Sequence, residues 1–332
     1  MNNEHISLTN SLFAKKEKLC ALVVGGAGFV GSHLCWKLLQ VGYTHVICLD
    51  NLQTGSINNI ANLQKDERFI FIRHDITHPI SIDRHVDEIY NFACPASPKQ
   101  YQKDPIHTFK TSILGSINLL DMAKEKGARI LLASTSEVYG NPLVPQQNES
   151  YWGNVNSYGI RSCYDEGKRG AETLFHDYNA MYGVDTRIIR IFNTYGPQMS
   201  IDDGRVVSNF IVQALKGEPL TIHGNGSQTR SFQYIDDLIE AIFRIMQDGV
   251  PNSPINIGNP NEISVKNLAD MILHITRSNS VVSYEPLTQD DPCRRNPDIH
   301  LATKILNGWT PQVSLKEGLA HTIDYFRNIL DK

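Results

Sequence analysis

Short, nearly continuous apolar runs alternate along this chain with stretches whose apolar residues recur at helical spacing. Leu19–Val24, His45–Leu49, Phe69–Arg73, Glu88–Phe92, Ile130–Ala133 and Thr186–Ile191 predict strands. Their apolar character on both faces suits a parallel sheet covered on both sides. Between them, Phe29–Val41, Pro105–Lys126 and Tyr164–Tyr182 predict helices. Such a strand–helix–strand succession winds right-handed and predicts an α/β fold with a doubly wound parallel sheet.

The pattern loosens after Phe192. Asn193–Phe232 reads as Gly- and Pro-containing loops, Asp236–Gln247 as a helix and Pro254–Ile257 as one more strand. From Glu262 onward the chain reads as small helices, with a turn at Asp290–Pro297. The expected division is a tail over 1–18, a sheet domain over 19–192 with about 233–260, and a smaller lobe. That lobe takes 193–232 and 261–332 and closes over the carboxyl edge of the sheet.

Composition narrows the function. A net charge of −4 supplies no polybasic field, so neither nucleic acid nor an anionic membrane is an expected partner. No run reaches the roughly 18–20 apolar residues of a membrane span. Lys15, Lys16 and Lys18 follow the weak apolar patch Leu12–Phe13, the reverse of a signal peptide. The six cysteines are scattered without metal-ligand spacing. They read as reduced thiols of a cytoplasmic protein, and no metal site is expected.

The first strand runs straight into Gly25-Gly26-Ala27-Gly28-Phe29-Val30-Gly31. Gly25 permits a tight turn, Gly28 lets backbone approach a pyrophosphate, and Gly31 lets the helix pack on the strand. Phe29, Val30 and Gly31 open that helix, whose N–H groups point at the phosphates. Asp50 ends the next strand 19 residues after Gly31. A carboxylate there accepts from both ribose hydroxyls and repels a 2′-phosphate, which predicts NAD rather than NADP. Asn51 borders this site, and Asp75 with Ile76 follows the third strand, where Asp75 is a candidate acceptor for the adenine amine.

Tyr164 and Lys168 lie four apart on a predicted helix and so share a face. A free phenol titrates near ~10, but a neighbouring ammonium favours its ionised form, as a general base requires. Ser134-Thr135-Ser136-Glu137 follows a predicted strand. Hydroxyls at a strand's carboxyl end lie where such sheets bind ligands.

GGAGFVG, STSEVYG (134–140) and YDEGK in this order resemble the extended short-chain dehydrogenase/reductase family. ACPASPKQY (93–101), ESYWGNVN (149–156), RSCYDEGKR (161–169), RIFNTYGP (190–197), DDGRVVSNF (202–210), GSQTRSF (226–232) and DDPCRRNPDI (290–299) extend the likeness from about Leu19 to Phe326. Within the family they resemble the branch that decarboxylates UDP-glucuronate to UDP-xylose. The resemblance implies a Rossmann fold, held NAD, a UDP-sugar substrate and a homodimer through a four-helix bundle. It implies that Thr135 bonds the sugar O4, Tyr164 removes its proton, Lys168 holds ribose and tunes Tyr164, and Glu137 acts near C5. Ser136 then borders the substrate, and Asn193, Arg205, Arg230 and Arg295 surround its diphosphate and base. Arg230 and Arg295 fall in predicted loops, and a diphosphate suits forked donors. Either Tyr101 or Lys110 is expected to place the substrate carboxylate. Ser112 and Tyr158 depart from the branch pattern, and Tyr158 is a candidate influence on sugar specificity.

The resemblance implies an internal redox cycle: a C4 ketone forms, the C6 carboxylate is lost, C5 is protonated and C4 is reduced again. A nucleotide-sugar 4,6-dehydratase, a 4-epimerase and a decarboxylase releasing the 4-keto pentose stay open as alternatives, as does a non-catalytic dinucleotide sensor. Ser136 stands where a dehydratase carries an acid.

Overall fold

The computed structural model describes residues 19–286 and 294–331. Seven parallel strands build the central sheet: β1 (Cys20–Val24), β2 (His45–Asp50), β3 (Phe69–Arg73), β4 (Glu88–Asn91), β5 (Arg129–Thr135), β6 (Thr186–Ile191) and β7 (Pro254–Ile257). Their spatial order is β7-β6-β5-β4-β1-β2-β3. The order reverses between β1 and β4, which opens a crevice beyond their carboxyl ends. The expected doubly wound α/β fold is what forms.

Among the described residues the helices longer than ten residues are α1 (Phe29–Gln40), α2 (Pro105–Lys126), α3 (Ser162–Tyr182), α4 (Val206–Lys216), α5 (Ile235–Ile245), α6 (Val265–Thr276) and α7 (Leu315–Leu330). The period of two in a strand sorts β1 between two cores. Ala21 and Val23 join Leu34, Leu38, Leu238 and Ile242 on one face. Leu22 and Val24 join Leu119, Leu120, Ala171 and Phe175 on the other. Each such buried aliphatic side chain contributes about 1.5–3 kcal/mol, so both faces hold the sheet in place.

Local signals set the helix ends. The Asp104 side chain accepts from His107 N at 2.9 Å and Pro105 occupies the first turn of α2, while Gly127 ends it in the left-handed region at φ 67°. Gly183 ends α3 the same way at φ 70°.

The C-terminal half departs from the loop-rich expectation. Asn193–Phe232 contains α4, whose Val207, Phe210, Ile211 and Ala214 make a buried stripe. It also holds short strands at Thr194–Tyr195, Leu220–His223 and Thr229–Ser231. The tail includes α6 and the 16-residue α7, longer than the small helices expected. Thr229–Ser231 lies between Glu262–Ser264 and Arg294–Arg295 in a three-stranded sheet. Arg230 and Arg295 are therefore register partners on strands, not loop residues. The expected tail over 1–18, Cys293 and the first half of the Asp290–Pro297 turn fall outside the described residues. Among the described residues no helix is long and apolar enough to cross a membrane.

Candidate active site

A cleft of about 1070 Å³ runs along the carboxyl edge of the sheet. At one end lies the glycine turn, in the middle the ends of β5 and α3, and at the far end Thr221, His223 and Arg230.

Gly25 adopts φ 75°, and a Cβ there would lie 2.9 Å from the Ala93 backbone nitrogen across the β1–β4 crevice. A Cβ at Gly31 would collide with the Gly25 carbonyl oxygen. The cradle is closed to any side chain at these two positions. No side chain caps α1 at Gly28, so the N–H groups over Phe29, Val30 and Gly31 face the cleft end uncapped. Such a helix terminus suits a pyrophosphate. Asp50 accepts from Ala27 N at 3.0 Å and Leu52 N at 2.7 Å, tying β2 to the glycine turn. Burial raises its carboxyl above the usual range, and those two backbone bonds oppose the rise.

Asp75 lines the cleft with Asn51 and Ile76, but its oxygens are already taken. Oδ2 accepts from Asn51 Nδ2 at 3.0 Å and pairs with His107 Nε2 at 2.9 Å. Oδ1 accepts from Thr77 N and Oγ1. Burial would raise this carboxyl, yet the four bonds hold it well below the ordinary value. Asp75 therefore braces the β3 turn against α2 from within the cleft wall.

Thr135 ends β5, and its Oγ1 accepts from Glu137 N at 3.2 Å, starting the single turn Ser136–Tyr139. Tyr164 and Lys168 face it from the first turns of α3. Lys168 is 3% exposed, donates from Nζ to Ala133 O at 2.9 Å and sits 6.0 Å from the Tyr164 ring centroid. Tyr101 stacks on Tyr164 with centroids 5.1 Å apart and planes 3° from parallel. The Tyr101 hydroxyl is buried without a partner among the described residues. Burial pushes the Tyr164 phenol above its ordinary value, the Cys94 thiol adds to this, and a hydrogen bond with Thr135 opposes it. Burial likewise lowers the Lys168 ammonium. The expectation of a lysine-depressed phenol is not met: burial is the largest influence on Tyr164 and raises it.

Glu137 is gripped from two sides. Arg161, at the start of α3, donates from Nη2 to its Oε2 at 2.6 Å. Arg295 donates from Nε to Oε1 at 3.2 Å and from Nη2 to Oε2 at 3.1 Å, and from Nη1 to Gly140 O at 2.5 Å. Burial alone would raise the Glu137 carboxyl, but the guanidinium groups of Arg295 and Arg161 override it and hold it at about 2. Arg295 is 2% exposed. Its fork is occupied by Glu137, which corrects its expected place on the diphosphate. The Ser136 hydroxyl lies 3.5 Å from Glu137 Oε1.

Arg205 lines the cleft with its fork on Asp203. Arg230 lines it too, donating from Nη1 to Thr229 O at 2.9 Å. Asn193 lines it with a buried Nδ2 that has no partner among the described residues. Lys110 is exposed and outside the cleft, so Tyr101 is the member of that pair brought to the site. Tyr158 is 96% exposed and does not line the cleft either, which corrects its candidacy for specificity. Arg161 was missed by sequence reasoning. One signal was available: an arginine at a helix N-cap opposes the helix dipole and so calls for a nearby anion.

The profile of the family described as GDP-mannose 4,6 dehydratase matches residues 22–322. A UDP-glucuronic acid decarboxylase 6 of Arabidopsis thaliana is 52% identical over 320 residues, covering 96% of this chain and 92% of the relative. A UDP-glucuronic acid decarboxylase 1 of Danio rerio is 50% identical over 318 residues, covering 96% and 75%. Among solved structures, a UDP-glucuronic acid 4-epimerase from Bacillus cereus, in complex with UDP-glucuronic acid and NAD, superposes with a TM-score of 0.85 at 30% identity. It covers 94% of this chain and 100% of the epimerase.

Proposed function

The chain belongs to the GDP-mannose 4,6-dehydratase family of extended short-chain dehydrogenases/reductases, and on that premise we infer that it is an NAD-dependent UDP-glucuronate decarboxylase forming UDP-xylose and CO2. The observation that carries this reading within the family is the setting of Glu137. Its carboxyl is held ionised by two arginines, and its neighbour Ser136 is no acid. A 4,6-dehydratase must protonate a departing hydroxyl. A decarboxylase has CO2 as its leaving group and needs no such acid.

The residues around the cleft fit NAD: the glycine cradle, the uncapped α1 terminus and Asp50 at the end of β2. Held there, NAD would supply a hydride acceptor for C4 of the sugar and a positive ring that favours ionisation nearby. Tyr164 removes the proton of the C4 hydroxyl, and Thr135 holds that oxygen in place. Lys168, fixed on Ala133 O, keeps a positive charge beneath the phenol. The resulting ketone is β to the carboxylate, so loss of CO2 leaves an enolate that the C4 oxygen stabilises. The Tyr101 hydroxyl, without a partner among the described residues, is a donor suited to the substrate carboxylate.

Incubation with UDP-glucuronate tests the assignment. The expected outcome is UDP-xylose and CO2 without stoichiometric reduced cofactor, and with Tyr101→Phe a raised KM. Formation of a 4-keto-6-deoxy sugar from UDP-glucose, with UDP-glucuronate inert, would overturn it.

We infer further that the protein is a homodimer. Helices α2 and α3 run against one another and leave Ile106, Phe109, Leu114, Met181 and Tyr182 exposed. An apolar set of this size on two long helices suits a four-helix bundle with a second copy. Light scattering should give twice the chain mass, and Phe109→Asp should reduce it to one chain. A wild-type mass of one chain would sink the idea.

A further inference from the structure

The contact between Glu137 and Arg295 is held from behind by two side chains that the decarboxylase reading leaves unassigned. Gln147 and Asn256 are both 0% exposed, and neither lines the cleft. Asn256, on β7, accepts at Oδ1 from the Tyr139 hydroxyl at 2.7 Å. Its Nδ2 donates to Gln147 O at 3.0 Å and to Asp298 O at 3.2 Å. Gln147 accepts at Oε1 from Asn296 N at 2.9 Å and donates from Nε2 to Val144 O at 3.2 Å. Its main chain donates to Asn296 O at 2.9 Å and accepts from Asp298 N at 2.8 Å.

These bonds close a ring. Tyr139 belongs to the same turn as Glu137, and Asn296 follows Arg295. From Tyr139 through Asn256 and Gln147 to Asn296, the ring joins the two segments whose side chains meet at Glu137. The main chains of these segments form an isolated parallel bridge, Gln147 with Pro297. A side-chain amide offers the donor and acceptor of a peptide group, so Gln147 extends that pairing by one further bond. A buried amide network with every member satisfied fixes one geometry, because a slip leaves a polar group bare. We propose that Gln147 and Asn256 form a clasp that sets Arg295 on Glu137, and so govern the stage of reaction at C5 while leaving the stage at C4 alone. The proposal rests on the decarboxylase reading.

The geometry separates the two stages. Oxidation at C4 uses Thr135, Tyr164 and Lys168, which come from β5 and α3, and Lys168 is fixed on Ala133 O outside the ring. The stage at C5 uses Glu137. Arg161 holds that carboxylate from α3 whether or not the clasp is closed, so an open clasp removes one cation and leaves the other. Gln147 and Asn256 touch neither substrate nor cofactor; they act through Arg295 and are positioning residues.

The test uses the full chain with NAD and UDP-glucuronate, as wild type, Gln147→Met and Gln147→Glu. Met matches Gln in length and lacks the amide. Glu keeps an oxygen for Asn296 N and, protonated, a donor for Val144 O; burial and an assay at pH about 6 favour that form. With Gln147→Met, CO2 release should fall roughly 10- to 100-fold, the scale on which a misplacement of about 1 Å acts. The first reduction of NAD should keep its wild-type rate, so reduced cofactor accumulates and is read by its absorbance. Gln147→Glu should restore CO2 release and abolish the accumulation. A clasp that only covers the edge strand β7 would instead lower the melting temperature and slow both stages together. That result overturns the proposal, as does a Gln147→Met time course matching wild type or a folded Gln147→Glu that restores nothing. Should Gln147→Met not fold, Gln147→Asn, one methylene shorter, is read in the same way, and wild-type kinetics there overturn it as well. Absence of CO2 release by the wild type would defeat the underlying decarboxylase reading.

Discussion

Replacing Tyr164 by Phe lowers turnover by roughly 10²–10⁴, the usual worth of a positioned acid–base group, while NAD affinity stays near that of the wild type. Phe keeps the buried ring and its stack on Tyr101 and loses only the phenolic oxygen. The effect should fall on kcat, because the missing group acts in the transition state for leaving C4. At rest the phenol is held above its ordinary value by burial, so its ionisation depends on positive charge arriving beside it. Steady-state kinetics and a cofactor titration by fluorescence check both halves. Near wild-type turnover would remove Tyr164 from the chemistry.

Glu137→Gln should be costly in two measurable ways. Turnover falls by roughly 10² or more, because the steps at C5 lose their carboxylate, and the 4-keto intermediate accumulates. Stability also falls, since Arg161 and Arg295 are left facing one another without the anion between them. Breaking a buried pair by removing one partner costs about 3–5 kcal/mol. The pH dependence has a definite sign. The Glu137 carboxyl is depressed to about 2 in the fold, so its contribution is fully present above the ordinary glutamate range and is lost as pH falls through about 2. A shift of that size corresponds to on the order of 3 kcal/mol. Urea denaturation at neutral pH and near pH 3 should show the gap between wild type and variant narrowing in acid. An equal gap at both would remove the ionised pair as its cause.

What could be read from the sequence was what repeats with a period. The six early strands are short apolar runs and the three long helices repeat their pattern over about three to six turns, so β1 to β6 and α1 to α3 lie within a few residues of the predicted bounds. Helix α4 falls where the sequence predicts loop, although Val207, Phe210, Ile211 and Ala214 hold helical spacing, because Gly204 and Gly217 flank it closely. Strands of two or three residues such as Arg294–Arg295 have no period to read, so Arg230 and Arg295 were placed in loops.

The site divided along the same line. The Gly25–Gly31 turn, Asp50, Thr135, Tyr164 and Lys168 are encoded by spacing and sit together in the cleft. Lys110 shares a helix with the buried Thr108, Thr111 and Ser112 yet lies on its outer face. The grip of Arg161 and Arg295 on Glu137 is a meeting of distant segments, and the arginine at the N-cap of α3 is the one local sign of it.

That grip also dictates when the protein becomes an enzyme during its own synthesis. Glu137 and Arg295 are 158 residues apart. The whole parallel sheet, the glycine cradle and the Tyr164 pair emerge from the ribosome before Arg295 does. A nascent chain that has closed its sheet can therefore carry a finished cradle beside an unfinished reaction centre, with one of the two cations on Glu137 still unmade. Contacts of such long separation carry a loop-closure cost that slows their formation. A chain cut short before residue 295 would keep its cradle and lack one of the two cations on Glu137.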